Sequence, residues 1–276
     1  MTGVSWLELE LHFPEERGAE LALILEEARL GGWVVEAEER WVFFLPQEGD
    51  WQSRLGRLTV ELREAGGTVS QRGEVQDEDW AENWKRFYHP LKVGRRLVVC
   101  PSWEEYAASA DDLVLILDPG SAFGTGYHAT TRLCLELLEE LPPCRLLDLG
   151  TGSGILAIAA SKLGYSDLTA IDNDPVAVRV ANENFAINRL ELQACLGETA
   201  SGGPYDLITA NLVARVHLDL AVELAASLRP GGKLIAGGII RDQREPVLEA
   251  FAAAGLAPVD ERGTEEWVVL LLERRH

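Results

Sequence analysis

Residues Trp6 to Phe13 alternate apolar and polar side chains, the period-two pattern of a strand with one buried face. Pro14, Glu15 and Glu16 then predict a helix start, and Leu21, Ile24, Leu25 and Ala28 share one helical face before Gly31 and Gly32. Trp33 to Ala37 and Trp41 to Leu45 read as strands around a turn at Glu38, Glu39 and Arg40. Trp51, Leu55, Leu58 and Leu62 predict a second helix, Gly66 and Gly67 break it, and Thr68 to Val75 follows as a strand. Strand, helix, strand, strand, helix, strand is the order of a small ferredoxin-like α+β domain, predicted over residues 1–75. Its aromatics, including Trp6, Trp33, Trp41 and Phe43, read as packing residues, and the segment carries no catalytic constellation.

Residues 76–95 read as a connector: Asp77, Glu78 and Asp79 open an amphipathic stretch with Trp80, Trp84 and Lys85, followed by Phe87, Tyr88, His89 and Pro90. From residue 96 to 276 the pattern changes. Leu97 to Cys100 and Leu113 to Leu117 predict strands, and helix then alternates with strand from Arg132 to Ala254, the sign of an α/β domain with a parallel sheet covered on both faces. Leu256 to Glu261 and Trp267 to Leu272 are strands with no helix between them, which predicts an antiparallel hairpin at the sheet edge, turning near Arg262 and Gly263.

The candidate chemistry lies where one of these strands ends. Leu146 to Leu149 runs through Asp148 into Gly150, Thr151, Gly152, Ser153 and Gly154, and the apolar run Ile155 to Leu163 follows as a helix. Glycines at 150, 152 and 154 permit a sharp turn and a close approach of backbone to a ligand at the helix N-terminus. The dinucleotide spacing G-x-G-x-x-G fails in the frame from Gly150, where Ile155 takes the third place. The frame from Gly152 fits through Gly154 and Ala157 but sets Asp148 close to two phosphates, which it would repel. A phosphate-free ligand carrying a cationic group, such as S-adenosylmethionine, suits that carboxylate. Leu168 to Ile171 ends in Asp172, placed to accept hydrogen bonds from two ribose hydroxyls. Asp172 and Asp174 can also serve as N-caps ahead of Pro175, and Asp174 is the better placed of the two.

Composition narrows the function. With 25 Lys and Arg against 45 Asp and Glu the formal charge is -20, and no basic stripe is present, so direct reading of nucleic acid is disfavoured and a basic protein substrate is suited. The acidity also serves solubility alone. No apolar run is long enough to cross a bilayer and no secretion leader is evident, so the chain is expected in the cytoplasm, away from membranes. Cys100, Cys134, Cys144 and Cys195 form no C-x-x-C pair and lie mostly in apolar segments as free thiols do, and the five histidines show no ligand spacing. No metal site is expected.

Four stretches together resemble the bacterial ribosomal protein L-eleven methyltransferase family: Asp118 to Thr131 as D-P-G-S-A-F-G-T-G-Y-H-A-T-T, the loop Asp148 to Gly154, Asp172-Asn173-Asp174-Pro175, and Ala210-Asn211-Leu212. Trp80 to Lys85 is similar to that family's W-x-x-x-W-K connector, and the hairpin ending resembles Rossmann-like class I methyltransferases. The resemblance implies an N-terminal domain that recognises the ribosomal protein, a flexible connector, and a catalytic domain. That catalytic domain would transfer several methyl groups from S-adenosylmethionine to lysine side-chain amines and an N-terminal α-amine. By position, Thr131, Gly150, Asp172 and Asn211 would contact the cofactor, Phe123, Gly124, Thr125 and Gly126 would wall it, and His128 and Thr130 would lie near it. Asp148 and Gly152 join that set through the loop argument above.

The substrate amine poses the chemical difficulty. A lysine with pKa about 10.4 is almost wholly protonated at pH 7, which costs roughly 4 to 5 kcal/mol to undo, whereas an α-amine near pKa 8 costs far less. No general base is assigned, and His128 stands as a candidate beside its reading as a loop-packing residue. Asn211 can offer a carbonyl to the incoming amine or simply make a turn. Two alternatives remain open: a methyltransferase of another protein or of a nucleic-acid base, and a non-catalytic adaptor. Leu212-Val213-Ala214 lacks the Pro-Pro-aromatic continuation that would stack a flipped base.

Overall fold

A computed structural model describes residues 5–14, 17–28, 30, 32–37, 39–76, 88–118 and 124–275. The chain divides into two compact units, Met1–His89 and Pro90–His276. Phe123, Trp80, Trp84 and Lys85 lie outside the described residues.

The first unit holds β1 (Ser5–His12), α1 (Gly18–Glu27), β2 (Gly32–Ala37), β3 (Arg40–Pro46), α2 (Trp51–Glu64) and β4 (Thr68–Gln76). Its strands pair antiparallel in the order β2-β3-β1-β4. The alternation in β1 has its expected effect: Leu7, Leu9 and Leu11 are buried, as are Leu21 and Leu25 of α1 and Leu58 and Leu62 of α2. The chain leaves α2 through Gly66 at φ +93°, and Gly67 passes so close to Leu11 that a Cβ there would lie 2.7 Å from its Cδ1.

The second unit opens with β5 (Leu91–Val93), β6 (Leu97–Cys100) and β7 (Leu113–Ile116), which form a three-stranded sheet of their own. Strand β5 falls inside the stretch read from sequence as connector. Then come α3 (Ala129–Glu140), β8 (Leu146–Leu149), α4 (Ile155–Lys162), β9 (Leu168–Asp172), α5 (Pro175–Ile187), β10 (Ala194–Leu196), β11 (Tyr205–Asn211), α6 (Ala214–Ser227), β12 (Leu228–Ile240), α7 (Arg244–Ala253), β13 (Leu256–Gly263) and β14 (Trp267–Arg274). The main sheet has seven strands in the order β10-β9-β8-β11-β12-β14-β13, parallel through β12, with β14 antiparallel to both β12 and β13.

Two apolar layers cover this sheet. Residues of α3, α4 and α5 pack on one face with Leu146 and Leu207, and residues of α6 and α7 pack on the other with Leu147, Leu149, Ile208 and Ala210. Strand order reverses between β8 and β11, so their carboxyl ends border a crevice, the usual ligand position in open α/β sheets. No helix among the described residues is long and apolar enough to cross a membrane. Cys100 and Cys134 are buried, Cys144 is half-buried, and Cys195 departs from the expected burial because it sits exposed on edge strand β10.

Candidate active site at the sheet reversal

The turn after β8 is built for glycine. Gly150, Gly152 and Gly154 have φ of +69°, +56° and +84°, in the left-handed region that side chains with a Cβ avoid. A Cβ on Gly150 would collide with the Leu212 side chain, and one on Gly154 would lie 2.6 Å from Phe185. Backbone N–H groups of Gly150 and Thr151 donate to the Ile171 carbonyl at 2.8 and 3.0 Å, tying the turn to the end of β9.

Asp172 completes that tie. Its Oδ2 accepts from the Gly152 N–H at 2.8 Å and its Oδ1 from the Asp174 N–H at 3.0 Å. Each oxygen keeps a further lone pair, so the carboxylate can hold the loop and still receive hydroxyl donors. The helix cap belongs to Asp174, whose side chain accepts from the Val176 N–H at 2.8 Å ahead of Pro175.

Asp148 departs from its expected place facing the ligand. Alternation along β8 sends Leu147 and Leu149 to the α6 and α7 face and turns Asp148 to the other, where it is 1% exposed. Hydroxyls of Thr151 and Thr209 each donate to it at 2.7 Å, bracing the glycine turn against β11. Burial pushes its carboxyl up to about 6, against the lowering by Thr151, Thr209 and the Ala157 backbone N–H.

The second glycine segment meets the first through Ser153, whose hydroxyl donates to the Gly124 carbonyl at 2.6 Å. Gly124 and Gly126 have φ of +99° and +85°, and a Cβ on Gly126 would lie 3.0 Å from Val99 and 3.1 Å from Ile155. Thr125 lies between them, and Thr130 and Thr131 are fully buried at the start of α3. His128 caps α3: its Nδ1 accepts from the Thr130 N–H at 3.4 Å and lies 2.8 Å from the Thr130 hydroxyl. Its ring meets Trp267 edge to face at 4.6 Å. Burial, with Arg132 adding to it, lowers the ring to about 4, so it is neutral at pH 7 with Nδ1 engaged, the arrangement of a packing and capping histidine.

Asn211, the last residue of β11, donates from Nδ2 to the Thr131 hydroxyl at 3.2 Å. Its Oδ1 is buried and has no hydrogen-bond partner among the described residues. Such an acceptor fits a ligand with an N–H or O–H to donate.

Two residues that sequence reading missed lock this assembly. Asn184 donates from Nδ2 to the Ser153 carbonyl at 2.9 Å and accepts from the Asp118 N–H at 3.2 Å. Asn188, one turn on, accepts from the Ile116 N–H at 3.0 Å and donates to the Asn184 carbonyl at 2.9 Å. Their spacing of four residues, from the buried side of α5 to its C-cap, was the available signal.

The family model described as Ribosomal protein L11 methyltransferase (PrmA) matches residues 5–275. A ribosomal protein L11 methyltransferase of Chloroflexus aurantiacus is 39% identical over 327 residues, covering 99% of each chain. One of Symbiobacterium thermophilum is 46% identical, over 83% of this chain and 78% of the relative. A crystal structure of ribosomal protein L11 methylase from Lactobacillus delbrueckii subsp. bulgaricus is 34% identical, covers 68% of this chain and 99% of its own, and superposes with a TM-score of 0.62. The α/β unit with its large mixed sheet is thus of the class I methyltransferase kind, S-adenosylmethionine is the methyl donor, and the chain belongs to the ribosomal protein L11 methyltransferase family.

Proposed function

We propose that the chain transfers methyl groups to lysine side-chain amines and the N-terminal α-amine of ribosomal protein L11. The observation that carries the reading is the buried, unpartnered Oδ1 of Asn211 at the sheet reversal, an acceptor suited to an amine donor. When bound, S-adenosylmethionine supplies an electrophilic methyl group next to a positively charged sulfur. Asp172 holds the ribose, the turn of Gly150 and Gly152 lies against the donor, and Thr131 with Asn211 borders the reacting end. Gly124, Thr125, Gly126 and Thr130 wall the crevice, and Phe123 joins them by position.

The protein's task is alignment of the amine and exclusion of water, with no dedicated acid. His128 maintains the start of α3, and the amine's proton leaves through solvent. The N-terminal domain, residues 1–75 within the first unit, acts as a ferredoxin-like recognition module, a role supported by the order β2-β3-β1-β4 and by the absence of a catalytic cluster from its sequence. Residues 76–95 join it to the catalytic domain, 96–276. The -20 formal charge draws a basic ribosomal protein to the enzyme, and both work in the cytoplasm.

The test is incubation of the protein with isotopically labelled S-adenosylmethionine and a mixture of ribosomal proteins, followed by peptide mass spectrometry. Label should enter one protein band, on lysines and on the α-amine. Label in RNA or in a small molecule, with none in protein, would overturn the assignment.

A further inference from the structure

His217 lies in the first turn of α6, is fully buried, and places Nε2 2.8 Å from the Gly237 carbonyl. The same carbonyl accepts the Leu212 N–H at 3.1 Å. A carbonyl cannot donate, so the imidazole carries its proton on Nε2. Burial lowers the ring to about 4 against the opposing backbone contacts of Gly237 and Leu212, which keeps it neutral.

Gly237 is the floor under Asn211. A Cβ there would lie 2.7 Å from Asn211 Oδ1 and 2.6 Å from Cys134 Sγ, and one on Gly238 would collide with the Leu212 carbonyl. Backbone thus rests on backbone, and no side chain of these glycines sets the spacing. Leu212 in turn covers Gly150, so a shift of the Asn211–Leu212 turn would disturb the amine's acceptor and the glycine loop together. An apolar ring would fill the space against Phe251, 5.7 Å away, without the penalty of burying a polar group, and the imidazole's distinguishing contribution is its hydrogen bond.

We propose that His217 is a positioning residue for methyl transfer: by donating to the Gly237 carbonyl it fixes the turn that presents Asn211 to the substrate amine. This rests on the methyltransferase reading above, and the test separates the two. In His217→Phe, which keeps an aromatic ring and removes the donor, the Leu212 amide of the cofactor-free protein should exchange with solvent about tenfold faster. Its kcat on ribosomal protein L11 should fall about tenfold or more while KM stays within about threefold, and cofactor Kd should rise as the Leu212 cover over Gly150 loosens. His217→Gln, which restores an N–H at similar reach, should recover most of both. If the Phe variant does not fold, His217→Asn, too short to reach Gly237, replaces it with the same expectation. Unchanged Leu212 exchange, or unchanged kcat with only a lower Tm, would overturn the proposal. A wild-type protein inactive on L11 would instead refute the functional reading, and the Leu212 exchange arm would still decide whether the clamp exists.

Discussion

Two aspartates that look alike in sequence separate once their surroundings are seen. Asp172 is 8% exposed and binds two backbone N–H groups, while Asp148 is sealed inside. Asp172→Ala should therefore weaken S-adenosylmethionine binding more than tenfold by calorimetry, through loss of hydroxyl bonds worth about 1.5 to 3 kcal/mol. Unchanged affinity would leave Asp172 only its tie to the loop. Asp148 makes a different prediction. Its folded pKa, about 6, lies above the ordinary 3.8, so its contribution to stability is complete below the ordinary value and is lost as pH rises through about 6. Comparing urea midpoints at pH 4 and pH 7, the wild type should lose up to about 3 kcal/mol more than Asp148→Asn does. Equal losses would mean the carboxyl titrates in its usual range. The acidic residue before the glycines was legible in sequence, but its inward direction was not, because the strand's two faces cannot be told apart until both apolar layers are assigned.

At the scale of elements, the glycine turn and α5 are one construction. Gly150→Ala combines an unfavourable φ with a collision against Leu212, and it should abolish detectable cofactor binding while lowering Tm. Asn184→Ala strips the Ser153 carbonyl and the Asp118 N–H of their shared partner and should cost about 2 to 4 kcal/mol in denaturant unfolding. A loss under about 0.5 kcal/mol would mean water replaces the side chain without penalty. Long periodic elements were read correctly: α3 to α7, the β-α alternation and the two terminal strands all occur where the pattern put them. The hairpin turn falls slightly later than expected, after Gly263. Strand β5, three residues long, was invisible because so short a run has no period. Nor could sequence show that β6 and β7 leave the main sheet, since that depends on partners distant along the chain.

For the whole molecule, the division at His89 and Pro90 gives each unit its own core, so the catalytic unit should survive alone. Removing residues 1–75 should leave S-adenosylmethionine affinity within about threefold and abolish methylation of intact L11. Retained methylation would refute a recognition role for the first unit. The kind of ligand was legible in the sequence, because glycine spacing and strand alternation are local properties. The network behind the crevice was not, because Ser153, Asn184 and Asn188 look like ordinary polar residues until β7, α5 and the turn meet. The Ser153 bond to the Gly124 carbonyl carries a lesson for anyone transplanting this pocket. The two glycine turns are a single graft, and a host scaffold given one without the other, or without the asparagine face of α5, would inherit a motif and no binding site.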